Sequence, residues 1–340
     1  MSSSLKVPRV MRQPYLLILL LLLFTLLTIL SLIAGSKMIP VTETWQSLFS
    51  PEHCVSQDCT IIRFARLPRT LAGIAAGISL GLAGALMQTL TRNPLADPGI
   101  LGVNSGASFA IVLGIALTGA DTPQAWLGFA FGGAILALLI VALTGAAAGG
   151  RVNPVRLTLA GVALAAVLEG MTNGLSLMNP EIYDHLRFWL SGSLDIRQFT
   201  SLAVISPAIF LATVLSLLLS KSLNNLSMGG DLAVTLGTRV FRTQLTGLVA
   251  VAVLAGSATA LTGPVAFVGL MAPHLGRFLT GADHRRLLPV TLLLTPCLLL
   301  AADIAGRFMA VGELRVSIVT ALIGAPVLIF LIRRQSRGGV

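Results

Sequence analysis

The chain has 340 residues, 55% of them hydrophobic and only 11% charged, with a net charge of +10. Soluble globular domains carry about 25% charged residues, so two soluble domains, the ordinary reading of this length, are excluded. The basic residues stand in short clusters between long apolar runs, which argues against nucleic acid and for loops retained on the cytoplasmic side of a membrane.

The apolar runs predict an all-α polytopic membrane protein, because a β-barrel would show alternating segments of about ten residues. A spanning helix needs about 20 apolar residues. On that rule the runs predict ten spans in a single permease domain over residues 1–340. They are Tyr15–Ala34, Leu67–Leu90, Gly99–Leu117, Trp126–Leu143, Leu157–Leu177, Leu202–Leu219, Leu245–Leu261, Val265–Thr280, Leu287–Gly306 and Val316–Ile332. The first run lacks a small-residue cleavage site and reads as a span rather than a removable leader. Lys6, Arg9 and Arg12 precede it, and Arg333, Arg334 and Arg337 follow the last. With an even number of spans, both termini are expected in the cytoplasm.

After the first span comes the polar loop "PEHCVSQDCT". In an oxidising compartment Cys54 and Cys59 would close a small disulfide; otherwise they are two free thiols. Next stands "RFARLPRTL", where Arg63, Arg66 and Arg69 fall on the outer side, against the charge rule. They bind either a partner or nearby lipid headgroups and acids. The second span carries Gly73, Gly77 and Gly81 at i, i+4, i+8, a face on which another helix can approach closely.

The segment "NPEIYDHLRFWLSGSLDIR" (179–197) is too polar to span. Further on, "LNNLSMGGDLAVTLGTRVFRTQL" (223–245) falls between spans six and seven, on the cytoplasmic side. Its core "DLAVTLG" reads as a short helix that starts at Asp231, a carboxylate placed to cap free N–H groups. It ends at Gly237, suited to a left-handed turn. "TRVFRTQL" starts a second helix leading into span seven. Two short helices joined by glycine would make a compact knob for a groove on another protein, the alternative being a helix pair lying on lipid. The eighth span contains Pro264, Pro273, His274 and Arg277. In the ninth, Asp303 and Arg307 are spaced to pair at i, i+4.

Hydrolytic, redox and metal-ligand patterns are absent. A nucleotide-gripping P-loop needs Gly-Lys, and the three lysines follow Leu5, Ser36 and Ser220. An ion-coupled carrier working alone would use ionisable groups within the bundle, here Glu169 and Asp303. Glu169 faces either a watery cavity or a neighbouring helix.

Three stretches resemble one known family: "RLPRTLAGIAAGISLGLAGALMQTLTRNPLADPGILGVNSGA" (66–107), "GPVAFVGLMAPHLGRFLTGADHRRLLP" (263–289), and "ADIAGR" with "GELRVSIVTALIGAPVLIFL" (302–331). They are similar to the FecCD-type permeases of ABC importers for iron siderophores and cobalamin. "SQDCTI" and "GADHRR" look like members that carry ferric catecholates.

The resemblance implies a type II ABC importer permease fold in a bacterial inner membrane. It implies a second homologous permease chain forming a heterodimer, two copies of an ABC ATPase, and a periplasmic substrate-binding protein. ATP and Mg would sit on the ATPase and no cofactor on this chain, which would be no enzyme itself. It implies ATPase coupling at Gly230, Asp231, Ala233, Leu236, Gly237, Arg239 and Arg242. Arg66, Arg69 and Arg307 would dock the binding protein, and the segment 179–197 would help close an outer gate. Gln88, Asn93, Glu169 and Asn173 are candidates for the path. The cargo is expected to be a ferric siderophore moved by alternating access, with cobalamin or haem as alternatives.

Overall fold

The structure is a computed structural model and describes residues 13–35, 37–50, 56–120, 122–146, 153–196, 199–309 and 313–337. Cys54, Lys6, Arg9, Arg12, Arg151 and Arg197 lie outside the described residues. The elements are helical throughout the described residues. In chain order they are α1 (Gln13–Ile33), α2 (Val41–Phe49), α3 (Gln57–Ile61), a π-helical turn (Ile62–Arg66) running on into α4 (Leu67–Leu90), and a 3-10 turn (Pro98–Leu101). Then follow α5 (Val103–Thr118), α6 (Pro123–Ala146), α7 (Pro154–Met178), α8 (Pro180–Leu190), α9 (Phe199–Leu218), α10 (Ser220–Ser227) and α11 (Gly230–Thr235). The chain ends with α12 (Val240–Thr262), α13 (Val268–Thr280), α14 (His284–Met309) and α15 (Val316–Arg337).

Local sequence sets the boundaries. Asn153 and Asn179 each stand before a proline, and each side-chain Oδ1 accepts a hydrogen bond from the first turn that follows. Asparagine at the N-cap with proline at the first helical position satisfies free N–H groups and pre-sets φ. That punctuation separates α7 from α8 with no intervening loop.

α4 and α12 form the centre: 78% of the apolar stretch of each is buried, against 17% in α7. α4 runs antiparallel to α14, and its small face makes the contact. A Cβ on Gly73 would lie 3.0 Å from Leu300 Cδ2, and one on Gly81 only 2.1 Å from Thr295 Oγ1. On a neighbouring face, a Cβ on Gly84 would fall 1.7 Å from the carbonyl oxygen of Gly269. Lipid supplies no hydrophobic drive between helices, so this close backbone approach is what dispersion needs to hold the pair.

Helices occupy all ten expected positions. Among the described residues, seven helical runs are long and apolar enough to cross a membrane, with shorter apolar helices at Val103–Thr118 and Val316–Ile329. The expected span Val265–Thr280 is shortened to the 13 residues of α13, about 20 Å at 1.5 Å per residue. The cause is local. Gly263 at φ 69° and Phe267 at φ 66° are both left-handed, so residues 263–267 leave helical geometry. Span three likewise starts late, at Val103, because the 3-10 turn and left-handed Gly102 precede it.

Candidate transport path and docking knob

The knob is built by glycine geometry. α11 begins at Gly230 after Gly229, whose φ of 123° and ψ of 146° suit glycine alone. The N-cap is thus Gly229, and Asp231 lies one residue inside the helix, in its first turn, rather than at the helix start. At the other end the Thr238 N–H donates to Ala233 O and the Gly237 N–H to Val234 O, both at 2.9 Å, with Gly237 at φ 76°. That pair of bonds is the Schellman arrangement, which only a left-handed residue allows.

Burial sorts the knob's residues. Ala233 is wholly buried and anchors α11 from within, rather than offering a contact. Met228, Leu232, Val234 and Leu236 are each at least half exposed, an apolar tip on an otherwise polar segment. Gly237, Asp231, Arg239 and Arg242 are exposed around it, and Gly230 is half-buried.

A cavity of about 720 Å3 opens beside the irregular stretch at 263–267. Asp97, Asn104, Ser105, Glu169, Leu190 and Ser317 are among its walls. Ser105 Oγ donates to Glu169 Oε1 at 2.8 Å. Backbone without helical hydrogen bonds is tolerated at membrane depth only where protein or water covers it, and here it lines this space.

The end of α8 grips the same stretch. Ser193 N donates to Thr262 O at 2.8 Å, and a Cβ on Gly263 would fall 2.3 Å from Trp189 O. The segment expected to gate the path is thus a helix seated on the break between α12 and α13.

The four candidate path residues do not converge. Glu169 is in the cavity above. Gln88 is buried in another, where its Nε2 donates to Leu270 O at 3.0 Å and its Oε1 accepts from Arg277 Nη1 at 2.6 Å. Asn93 is exposed, with Oδ1 accepting from Leu95 N. Asn173 is exposed on α7, one turn from Glu169.

The three arginines expected to dock a binding protein are not free cations on a rim. Arg66 is 6% exposed and Arg307 5%. Arg66 donates to the carbonyl oxygens of Leu32, Ile33 and Lys37, and Arg307 to Ser31 O, Ala34 O and Asp303. Arg69 is held by Asp303 and Glu313. They tie the ends of α1, α4 and α14 together, with Arg69 and Arg307 meeting nearby acids. The expected i, i+4 pair of Asp303 and Arg307 is present at 2.6 Å.

The family model described as the FecCD transport family matches residues 21–334. This chain belongs to the FecCD transport family. It is 60% identical over 339 residues to the ferric enterobactin transport system permease protein FepD of Escherichia coli (strain K12), covering 100% of each. It is 38% identical over 294 residues to the Fe(3+) dicitrate transport system permease protein FecC of the same organism, covering 84% of this chain and 86% of that one. A solved transporter assigned to the metal-chelate ABC type, in an inward-facing conformation, superposes with a TM-score of 0.81 at 28% identity. The match covers 95% of this chain and 99% of that one.

This FecCD chain also holds a linkage that the sequence did not announce. α10 buries Leu223 and Leu226 and seats the knob on the bundle. Asn224 Nδ2 donates to Asp283 Oδ1 at 2.6 Å, while its Oδ1 accepts from His284 N at 2.8 Å. The His284 ring bridges onward, Nδ1 lying 2.7 Å from Asn224 Oδ1 and Nε2 2.6 Å from Thr89 Oγ1. Asn224 Oδ1 can only accept, so Nδ1 carries a hydrogen. The apolar i, i+3 pair Leu223 and Leu226 was the one signal for α10; nothing marked residues 60 positions apart as partners. Cys59 is buried at the start of the α3–α4 run.

Proposed function

We propose that this chain is the membrane permease subunit of an ATP-driven importer that carries ferric enterobactin, or a related ferric catecholate, from periplasm to cytoplasm. The observation that carries the proposal is 60% identity along the full length of a ferric enterobactin permease, against 38% to a ferric dicitrate permease. In this reading ten helical segments cross or enter the inner membrane with both termini cytoplasmic. The α10–α11 knob and the inner ends of α4 and α14 then face the cytoplasm, and the arginine tie faces the periplasm.

Two copies of an ABC ATPase bind ATP and Mg below the membrane, and this chain carries no cofactor. The apolar tip of Met228, Leu232, Val234 and Leu236 enters a cleft of one ATPase, with Arg239 and Arg242 beside it. ATP shifts the transporter only through differential affinity for its two arrangements, so the knob must transmit motion. Its Schellman turn and the Asn224–His284–Thr89 link make it stiff and fasten it to α4 and α14.

A second, homologous permease chain covers α7. An ionisable group in a span is costly against lipid, and Glu169 is exposed on the least buried of the long apolar helices. It therefore faces a partner chain or the aqueous path. α8, seated on the break at 263–267, closes the outer mouth when the helices tilt. A periplasmic binding protein delivers the cargo to the face formed around α8 and the loops beside the arginine tie.

The test is uptake of radiolabelled ferric enterobactin by a strain lacking its own permease and supplied with this gene. Restored uptake that disappears when the ATPase gene is deleted supports the proposal. Restored uptake of cobalamin, haem or ferric dicitrate in place of the catecholate would replace the cargo. Uptake by the purified chain alone on an ion gradient would replace the energy source.

A further inference from the structure

A cavity at the knob end of α4, α13 and α14 is lined by basic and neutral polar side chains. It holds about 510 Å3, and Gln88, Thr89, Arg92, His274, Arg277 and His284 are in its walls. Among the described residues that line it there is neither Asp nor Glu. The neutral Gln88 Oε1 is the acceptor that Arg277 meets among the described residues. His274 is 7% exposed, and its Nδ1 is buried with no hydrogen-bond partner. Asp283, next to His284, is turned to Asn224 Nδ2 and Arg285 N. Arg92 and Ser227 stand exposed at the opening, and Phe278, 48% exposed, flanks it.

Arg277 is half-buried, and a partly desolvated guanidinium without an acid is stabilised by an anion from outside the chain. The donors here come from different elements: Arg92 just past the end of α4, and Arg277 and His274 on α13. The hydroxyls of Thr89 and Ser227 are engaged within the chain, that of Thr89 with Ala85 O and His284 Nε2, that of Ser227 with Asn224 O. Donors approaching from several sides suit a tetrahedral group with many acceptor oxygens, whereas a carboxylate offers two in one plane. In the topology proposed above, the cavity also lies at the cytoplasmic ends of the helices, and basic pockets between helix ends at that level recognise anionic headgroups.

We propose that this cavity binds an anionic phosphate group. The headgroup of an anionic phospholipid is its source at the membrane surface, and free phosphate is the other source of the same chemistry. Bound there, the phosphate bridges Arg92, past the end of α4, to Arg277 on α13, beside Ser227 at the base of the knob. The site would stiffen the joint through which the knob is driven, and it holds whatever the cargo is.

The test uses the full chain in mild detergent and in nanodiscs. Native mass spectrometry reads retention of phosphatidylglycerol against zwitterionic phosphatidylcholine. Thermal unfolding in phosphatidylcholine nanodiscs reads the effect of inorganic phosphate. The variants are Arg277→Gln, Arg92→Gln at the exposed mouth, and a control, Arg285→Gln with Arg286→Gln, exposed at the same end and absent from the lining.

Loss of one charge-assisted contact is expected to weaken binding about tenfold. Phosphatidylglycerol retained by the wild type and the control, and weakened in Arg92→Gln, supports the site with lipid as source. Stabilisation by phosphate that Arg92→Gln abolishes, without lipid preference, supports it with free phosphate as source. Equal loss in the control and in Arg92→Gln means general surface attraction and overturns the proposal. So does the absence of both effects in the wild type. Arg92→Gln keeps the test decisive if Arg277→Gln does not fold.

Discussion

Arg69 on α4 grips Asp303 on α14: its Nη2 lies 2.9 Å from Oδ1 and its Nε 3.1 Å from each carboxylate oxygen. Arg307 approaches the same carboxylate from one turn along α14, at 2.6 Å. Asp303 is 1% exposed, so one buried acid serves two arginines. Removing one partner from a buried ion pair costs about 3–5 kcal/mol, because the remaining charge is stranded. Asp303→Ala is therefore expected to lower the unfolding temperature of the detergent-solubilised chain sharply, and Asp303→Asn less, since the amide oxygen still accepts. An unchanged unfolding temperature in Asp303→Ala would show that the tie bears no load.

Glycines on α4 and α6 should respond in opposite ways to alanine. A Cβ at Gly77 would fall 2.6 Å from Pro296 Cα, against backbone that cannot swing aside. Overpacking of this kind typically costs about 1–3 kcal/mol, more than the roughly 1 kcal/mol that alanine gains over glycine in a helix. At Gly128 on α6 nothing lies within 4 Å. Gly77→Ala is expected to reduce thermal stability and Gly128→Ala to leave it equal or higher. Matching shifts for the two variants would contradict the close approach of α4 and α14.

Much of this was written in the sequence and part was not. The span Leu67–Leu90 coincides with α4 to the residue, because a proline, a glycine face and an uncharged run mark it together. Glycine placement foretold the knob's end at Gly237. The break at 263–267 was hidden, because Val265, Ala266 and Phe267 look like any apolar run and a non-glycine residue gives no sign that it will take a positive φ, as Phe267 does. The arginines' contacts were hidden for a related reason. Position relative to the spans showed which end they occupy, but a charge near a helix end reads alike whether it meets solvent or the carbonyls of Leu32 and Ile33. Glu169 and Gln88 were found by polarity alone, which could not tell that they belong to different cavities.

Asp283, in the loop before α14, gives the knob's anchorage a pH dependence. The hydrogen bond from Asn224, followed by the Arg285 N–H and the nearby arginines, holds its carboxyl below the usual value of 3.8. A group whose value is lowered on folding stabilises the protein above its unfolded value, and that contribution is lost as pH falls through the folded one. Wild type is thus expected to be more stable than Asp283→Asn at neutral pH. The gap should close as pH drops below 3.8. Thermal unfolding of both proteins across an acid series measures it. A gap that persists unchanged at the lowest pH would mean that the carboxylate's charge is not what holds Asn224.

The knob's tip offers the sharpest separation of structure from function. Leu232 and Leu236 are 55% and 56% exposed, so replacing them removes little packing within the chain. Apolar side chains buried at the centre of an interface, in contrast, cost 2 kcal/mol or more each when lost, about thirtyfold in affinity. Leu232→Asp with Leu236→Asp is accordingly expected to leave insertion, yield and unfolding temperature near wild type while reducing ATPase co-purification and siderophore uptake by roughly tenfold or more. Ala233→Asp should behave differently. Ala233 has no exposure, so a charge there disrupts the knob itself and lowers stability along with uptake. If the double leucine variant transports normally, the apolar tip is not the surface through which an ATPase drives the helices. The coupling contact must then be sought on Arg239 and Arg242.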